Sequence, residues 1–176
     1  RNLATSGNTD SGAGNESTVN RSGANTAYFM LRAYDSDKGA YLPADAVATF
    51  WVMADDSDYA LGNDTPRTNG SGNFNISFDP DCGYAIGKRK WKGGITDSCY
   101  DAVNSSEYNV SIRGDLRNNV TSPVPGAKFL RGVDYANITT NITDDCDAPV
   151  TGITINYTAV KESSSYVCLP SYLDEG

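Results

Sequence analysis

Histidine is missing from this 176-residue chain altogether. Its absence removes the Ser-His-Asp and Cys-His nucleophile systems and every zinc site built on imidazole. Glutamate is nearly missing as well, with only Glu16, Glu107, Glu162 and Glu175 against eighteen aspartates. Lysine is sparse and no helical periodicity of useful length is present. An excess of aspartate over glutamate is what turns, rather than helices, select. No apolar run approaches the ~18 residues of a membrane span, so no span is expected. Positive charge is also short: the net charge is −8 and the pI about 4.4. Such a chain would repel a phosphate backbone, which argues against nucleic acid as a partner. No signal-peptide core precedes Arg1, and a first residue other than Met reads as a processed product or a trimmed fragment.

The length suits one domain with a real core. Cys82, Cys99, Cys146 and Cys168 form an even set without metal-ligand spacing, and four cysteines allow three pairings. The sequence-local choice is Cys82–Cys99 with Cys146–Cys168, each closed loop contributing about 3 kcal/mol on the chain-entropy argument. Disulfides imply an oxidising compartment, outside the cell or at its surface. Paired cysteines would leave no thiolate chemistry, the alternative being four buried thiols.

Residues 1–25 hold only Leu3 and Val19 as sizeable apolar side chains. Such a segment buries too little surface to offset its ordering entropy, so it reads as a polar N-terminal arm, mobile or ordered against something else. From residue 26 short apolar stretches alternate with turn chemistry. "AYFMLRAY" (27–34), "AVATFWVM" (46–53), "FNISF" (74–78), "YNVSI" (108–112), "KFLRGVDYANITTNIT" (128–143), "GITINYTAV" (152–160) and "SYVCL" (165–169) are strand candidates. "AVATFWVM", apolar on both faces, reads as a central strand. The expected fold is all-β: an immunoglobulin-like antiparallel sandwich over 26–176, disulfide-bonded, behind an extended arm.

Asn-x-Ser/Thr triplets, the acceptors of N-linked glycan, are in excess. Sixteen asparagines give roughly three such triplets by chance on this composition. Eleven occur, at Asn15, Asn20, Asn63, Asn69, Asn75, Asn104, Asn109, Asn119, Asn137, Asn141 and Asn156. Part of the excess comes free with strand alternation, which sets Asn and Thr on one face. Asn15, Asn20, Asn63, Asn69 and Asn104 fall in arm or loops, where alternation explains nothing. Dense glycosylation is therefore expected, with Asn75, Asn137, Asn141 and Asn156 facing out and Phe74, Ile76, Ile138, Ile142 and Ile155 facing in.

"GKRKWKG" (87–93) sets Lys88, Arg89, Lys90 and Lys92 around Trp91 in an acidic protein. It reads as a basic, aromatic loop for an acidic glycan or an acidic neighbour, or else as a solvated hairpin whose Trp packs inward. Carboxylates bunch in "DSDKG" (35–39), "ADDSD" (54–58), "DPDCG" (79–83) and "DDCD" (144–147). Pooled, they could offer calcium its oxygens, although turn formation accounts for them and none has the full EF-hand pattern. Glycoside hydrolysis needs only two carboxylates, but no pair is legible, and "RGD" (113–115) is too short to specify adhesion. No enzyme and no cofactor is expected.

The plan of a polar arm before a disulfide-bonded β-sandwich, with no catalytic set, resembles the subunits of extracellular pili and fibrils that assemble by donor-strand exchange. The arm departs from that family because it lacks alternating large apolar residues, which only "TAYFMLRAY" (26–34) supplies. The resemblance implies a homopolymer in which Tyr28, Phe29, Met30 and Leu31 enter a neighbour's groove. The expected function is a structural subunit of an extracellular, heavily N-glycosylated filament or coat. The alternative is a secreted glycan-binding adhesin using residues 87–93.

Overall fold

A computed structural model describes residues 3–6, 14–61, 65–130, 133–161 and 164–167. Every regular element among them is a strand. The chain divides into two compact units, 1–117 and 118–176, a different partition from one sandwich over 26–176.

The first unit contains β1 (Leu3–Ser6), β2 (Ser17–Asn20), β3 (Ala27–Asp35), β4 (Ala40–Tyr41) and β5 (Ala48–Met53). It continues with β6 (Tyr59–Leu61), β7 (Asn73–Phe78), β8 (Gly87–Ile95), β9 (Val103–Asn104) and β10 (Tyr108–Arg113). The first sheet is built on β3, which pairs antiparallel with β7 along 27–32 and with β1 and β4 towards its end. The second sheet runs β2-β10-β8-β5-β6, with β9 added to β8. All its pairs are antiparallel except β2 with β10, which is parallel.

Period-two alternation gives each sheet one apolar face. Phe29, Leu31 and Ala33 of β3 and Phe74, Ile76 and Phe78 of β7 are buried from one side. Phe50 and Val52 of β5, Trp91 and Ile95 of β8, and Val110 and Ile112 of β10 are buried from the other, in the same core. The join is aromatic: Phe29 stacks on Trp91 with ring centroids 4.3 Å apart, and Phe50 meets Phe74 at 5.3 Å. Each such ring contributes about 2–3 kcal/mol by leaving water. Gly93 permits the approach, since a Cβ there would lie 2.7 Å from Leu31 Cδ1.

The expected arm at 1–25 is, over its described part, built into these sheets. β1 pairs with β3, and β2 lies along β10 with Val19 opposite Ile112 and fully buried. Gly14 sits against the Phe29 ring, and its carbonyl accepts the Trp91 indole N–H at 3.3 Å. One buried valine and one backbone cap suffice because the rest of the pocket is supplied by β3, β8 and β10.

The second unit is of another kind. It holds β11 (Leu116–Ser122, beginning at the boundary) with β12 (Thr139–Asp144), and β13 (Thr158–Lys161) with β14 (Ser164–Val167), each pair a separate two-stranded sheet. Its ties are polar: the hydroxyls of Thr121 and Thr139 hydrogen-bond at 2.8 Å, and Tyr157 donates to Thr140 at 2.9 Å. Among the described residues the strand expected over 128–143 forms only from Thr139, and that over 152–160 only from Thr158. Ile138 is exposed, and Ile142 and Ile155 are half-buried, so the expected burial of these three fails. A two-stranded ribbon has no second layer to cover its apolar side.

Candidate functional site

Residues 87–93, expected as a loop, are most of β8, which pairs with β10 along 87–91 and with β5 along 91–95. Alternation then sorts the basic cluster. Arg89 and Trp91 point inward and are buried, so neither is free to meet a partner. Lys88 and Lys90 point outward with just over half their side-chain surface exposed.

Every cation of the stretch is matched within the first unit. Arg89 donates to the Ala85 and Ile86 carbonyls at 3.0 and 2.7 Å and pairs with Asp56. These bonds offset the desolvation of a buried guanidinium. Lys88 reaches Glu16 at 2.9 Å, and Lys90 reaches Glu107 at 2.7 Å. Lys92 lies 4.3 Å from the Tyr59 ring centroid and 6.0 Å from that of Trp51, a cation–π arrangement. Tyr59 donates its phenol proton to Glu107 at 2.6 Å. Lys90 first, and then Tyr59, hold the Glu107 carboxyl below its ordinary range. Burial first, and then Glu107, push the Tyr59 phenol well above its own. Lys88 and Asn109 likewise depress Glu16. Sequence reading missed Glu16, Trp51, Tyr59 and Glu107. Glu16 and Lys88 are 72 residues apart, and no local signal joins them.

The stretch expected to enter a neighbour is β3 of this chain's own first sheet. Phe29 and Leu31 fill its own core, Met30 is half-buried and Tyr28 is exposed. The physical reason is register: β7 already occupies that part of β3, from Ala27↔Phe78 to Arg32↔Asn73.

None of the ten described sequon asparagines is buried. Asn15, Asn69, Asn75, Asn104, Asn119, Asn137, Asn141 and Asn156 are exposed, while Asn20 and Asn109 are half-buried. Asn63 lies outside the described residues.

The aspartates serve their turns. Asp35 Oδ1 accepts from the N–H groups of Asp37 and Lys38, and Asp55 Oδ1 from those of Ser57 and Asp58. Asp81 accepts from Gly83 N–H, and Asp144 from Cys146 and Ala148. Among the described residues the one group of three metal-ligating side chains within reach of one another is Asp144, Asp145 and Cys146. The Cys146 sulfur is committed to a disulfide.

Cys82 is disulfide-bonded too, but the expected Cys82–Cys99 bridge is not formed: Cys99 is an exposed thiol. The nine-residue β8 stands between these two cysteines and puts them at opposite ends of a strand about 30 Å long. A disulfide needs Cα atoms within about 7 Å. Cys168, the expected partner of Cys146, lies outside the described residues.

No helix among the described residues is long and apolar enough to cross a membrane. No protein family, curated protein or solved structure matches the chain.

Proposed function

We propose that this chain is a structural, non-catalytic subunit of an extracellular, N-glycosylated filament or surface coat. The observation that carries the reading is the apolar exposure after residue 115. Leu116, Val120, Val124, Phe129, Leu130, Val133, Tyr135 and Ile138 are all exposed, Tyr135 to 93%. Apolar side chains in such density mark surfaces that another molecule covers, and further copies of the chain are the simplest cover. The exposed sequons and the oxidised cysteines support the extracellular setting.

An immunoglobulin-like plan for the first unit is supported by strand order. The run β10-β8-β5-β6 corresponds to the G-F-C-C′ order of that fold, and β1-β3-β7 to A-B-E. Within this reading the exchanged strand is β1 rather than 26–34. Its four residues pair only along the end of β3, and the same strand from a neighbour would make the same backbone bonds.

A glycan-binding adhesin is the second reading, favoured by Lys92 set over Tyr59 beside Trp51. Microscopy and intact-mass measurement on native material test the first. Filaments or sheets of a species heavier than the 18.8 kDa polypeptide are expected. A dispersed protein of bare polypeptide mass would overturn it.

A further inference from the structure

Residues paired across a ladder share a face, so register maps the outer side of the second sheet. Lys88 lies beside Ser111, Lys90 beside Asn109, and Lys92 beside Trp51. Arg113 and Asn20 extend the same face through the β10–β2 pair. The two half-buried sequons among the described residues, Asn20 and Asn109, are both here. The Asn109 amide nitrogen, the atom a glycan would occupy, donates to Glu16 Oε1 at 2.9 Å. The Asn109 backbone N–H donates to Asn15 Oδ1 at 3.0 Å. On the outer side of the first sheet the contrary holds, since Asn75 stands exposed opposite Met30. Asn104 is exposed beside Gly94, at the far end of β8 from Lys88.

Charge marks the second sheet's outer side further. The outer side of the second sheet carries Lys88, Lys90, Lys92 and Arg113 against Glu16 and Glu107, in a chain of net charge −8. We infer that this side of β8 and β10 stays bare at Asn20 and Asn109 and docks the acidic surface of a second copy, an inference that rests on the assembly reading above. Two such sides repel each other, so the contact is positive side to acidic remainder, which is head-to-tail and propagates. The present partners do not forbid it. Exposed pairs such as Lys88–Glu16 and Lys90–Glu107 hold each other weakly and exchange readily for a carboxylate of a neighbour.

The test uses the full glycoprotein from a glycosylating host. Glycopeptide mapping is expected to find Asn20 and Asn109 bare and Asn75 occupied; glycan at either of the first two overturns the inference. Sedimentation then compares wild type with Lys88→Gln/Lys90→Gln/Lys92→Gln, chosen because neutral glutamines leave the alternation of β8 intact. A thermal melt matching wild type establishes that the variant is folded, and Lys90→Gln alone serves if the triple variant is not. At low salt the variant should need about tenfold more protein to assemble, and the gap should close at high salt, where exposed charges are screened. A wild type that stays monomeric overturns this inference and the assembly reading together. A wild type and variant that assemble alike at low salt overturn this inference alone. Unchanged assembly with lost binding to a sulfated polysaccharide would reassign the surface to that ligand, and also overturns it.

Discussion

Asn75-Ile76-Ser77 in β7 and Asn141-Ile142-Thr143 in β12 are almost the same tripeptide, and both sit in strands. In β7 the isoleucine is buried; in β12 it is only half-buried. The asparagine is exposed in each. The difference lies outside the tripeptide. β7 is paired to β3, and its apolar side meets the aromatic layer of Phe50 and Phe29. β12 is paired to β11 in a two-stranded sheet, with one further bridge from Thr143 to Pro149. Alternation offers an apolar face, but burial requires a second layer, and among the described residues the two-sheet core lies in the first unit.

Core truncation should break this comparison most visibly. Trp91→Ala is expected to cost about 3–5 kcal/mol by urea denaturation, whereas Tyr135→Ala should stay within about 0.5 kcal/mol of wild type. Equal effects would mean that the two units are not differently packed. The matched tripeptides give a sharper contrast. Ile76→Ala should cost about 2–5 kcal/mol, and Ile142→Ala under about 1 kcal/mol in unassembled protein. A large effect of Ile142→Ala there would show a cover over β12 within the single chain.

Glycines give a smaller, steric version. Gly14 and Gly126 have nearly the same backbone, φ +81 and +84. A Cβ at Gly14 would lie 2.3 Å from Phe29 Cδ1, while at Gly126 it meets nothing. Both alanine variants carry the left-handed penalty of about 1 kcal/mol. Gly14→Ala should add about 1–3 kcal/mol for displaced packing, readable as a lower melting temperature.

The smallest effect is acid sensitivity, read from four carboxyls of the first unit. Cys99 and Val47 backbone N–H groups depress Asp97, Ser57 depresses Asp55, Lys88 depresses Glu16, and Lys90 depresses Glu107. A carboxyl depressed in the folded state contributes stability above its unfolded pKa, and loses it as pH falls through the folded value. Melting temperature should be level from about pH 5 to 7 and decline below about pH 4, where the unfolded chain takes up protons first. A decline already complete at pH 5 would contradict these shifts.

Much of the first unit was legible because its strands carry large apolar residues at spacing two: 27–34, 46–53, 74–78 and 108–112 all coincide with strands. β8 was not, because lysine at three outward positions and arginine at one inward position hide the alternation. Only the distant Asp56 and two carbonyls make Arg89 tolerable inside. β2 was illegible for the opposite reason, since a single valine carries no period. In the second unit the apolar residues of 128–138 read as strand, yet among the described residues none of them belongs to one. Of the candidate site, the cations were visible in sequence, but their carboxylate and aromatic partners came only with the fold.

The parallel seating of β2 against β10 also orders events in time. Asn15 and Asn109 touch across 94 residues of sequence. At ribosomal speed that separation corresponds to on the order of ten seconds of synthesis. Until β10 emerges, Val19 has no strand to lie against, and the Gly14 cap has no completed sheet to close. Bringing such remote segments together is a slow, high-contact-order step. A segment made early in this unit is among the last to be set in place.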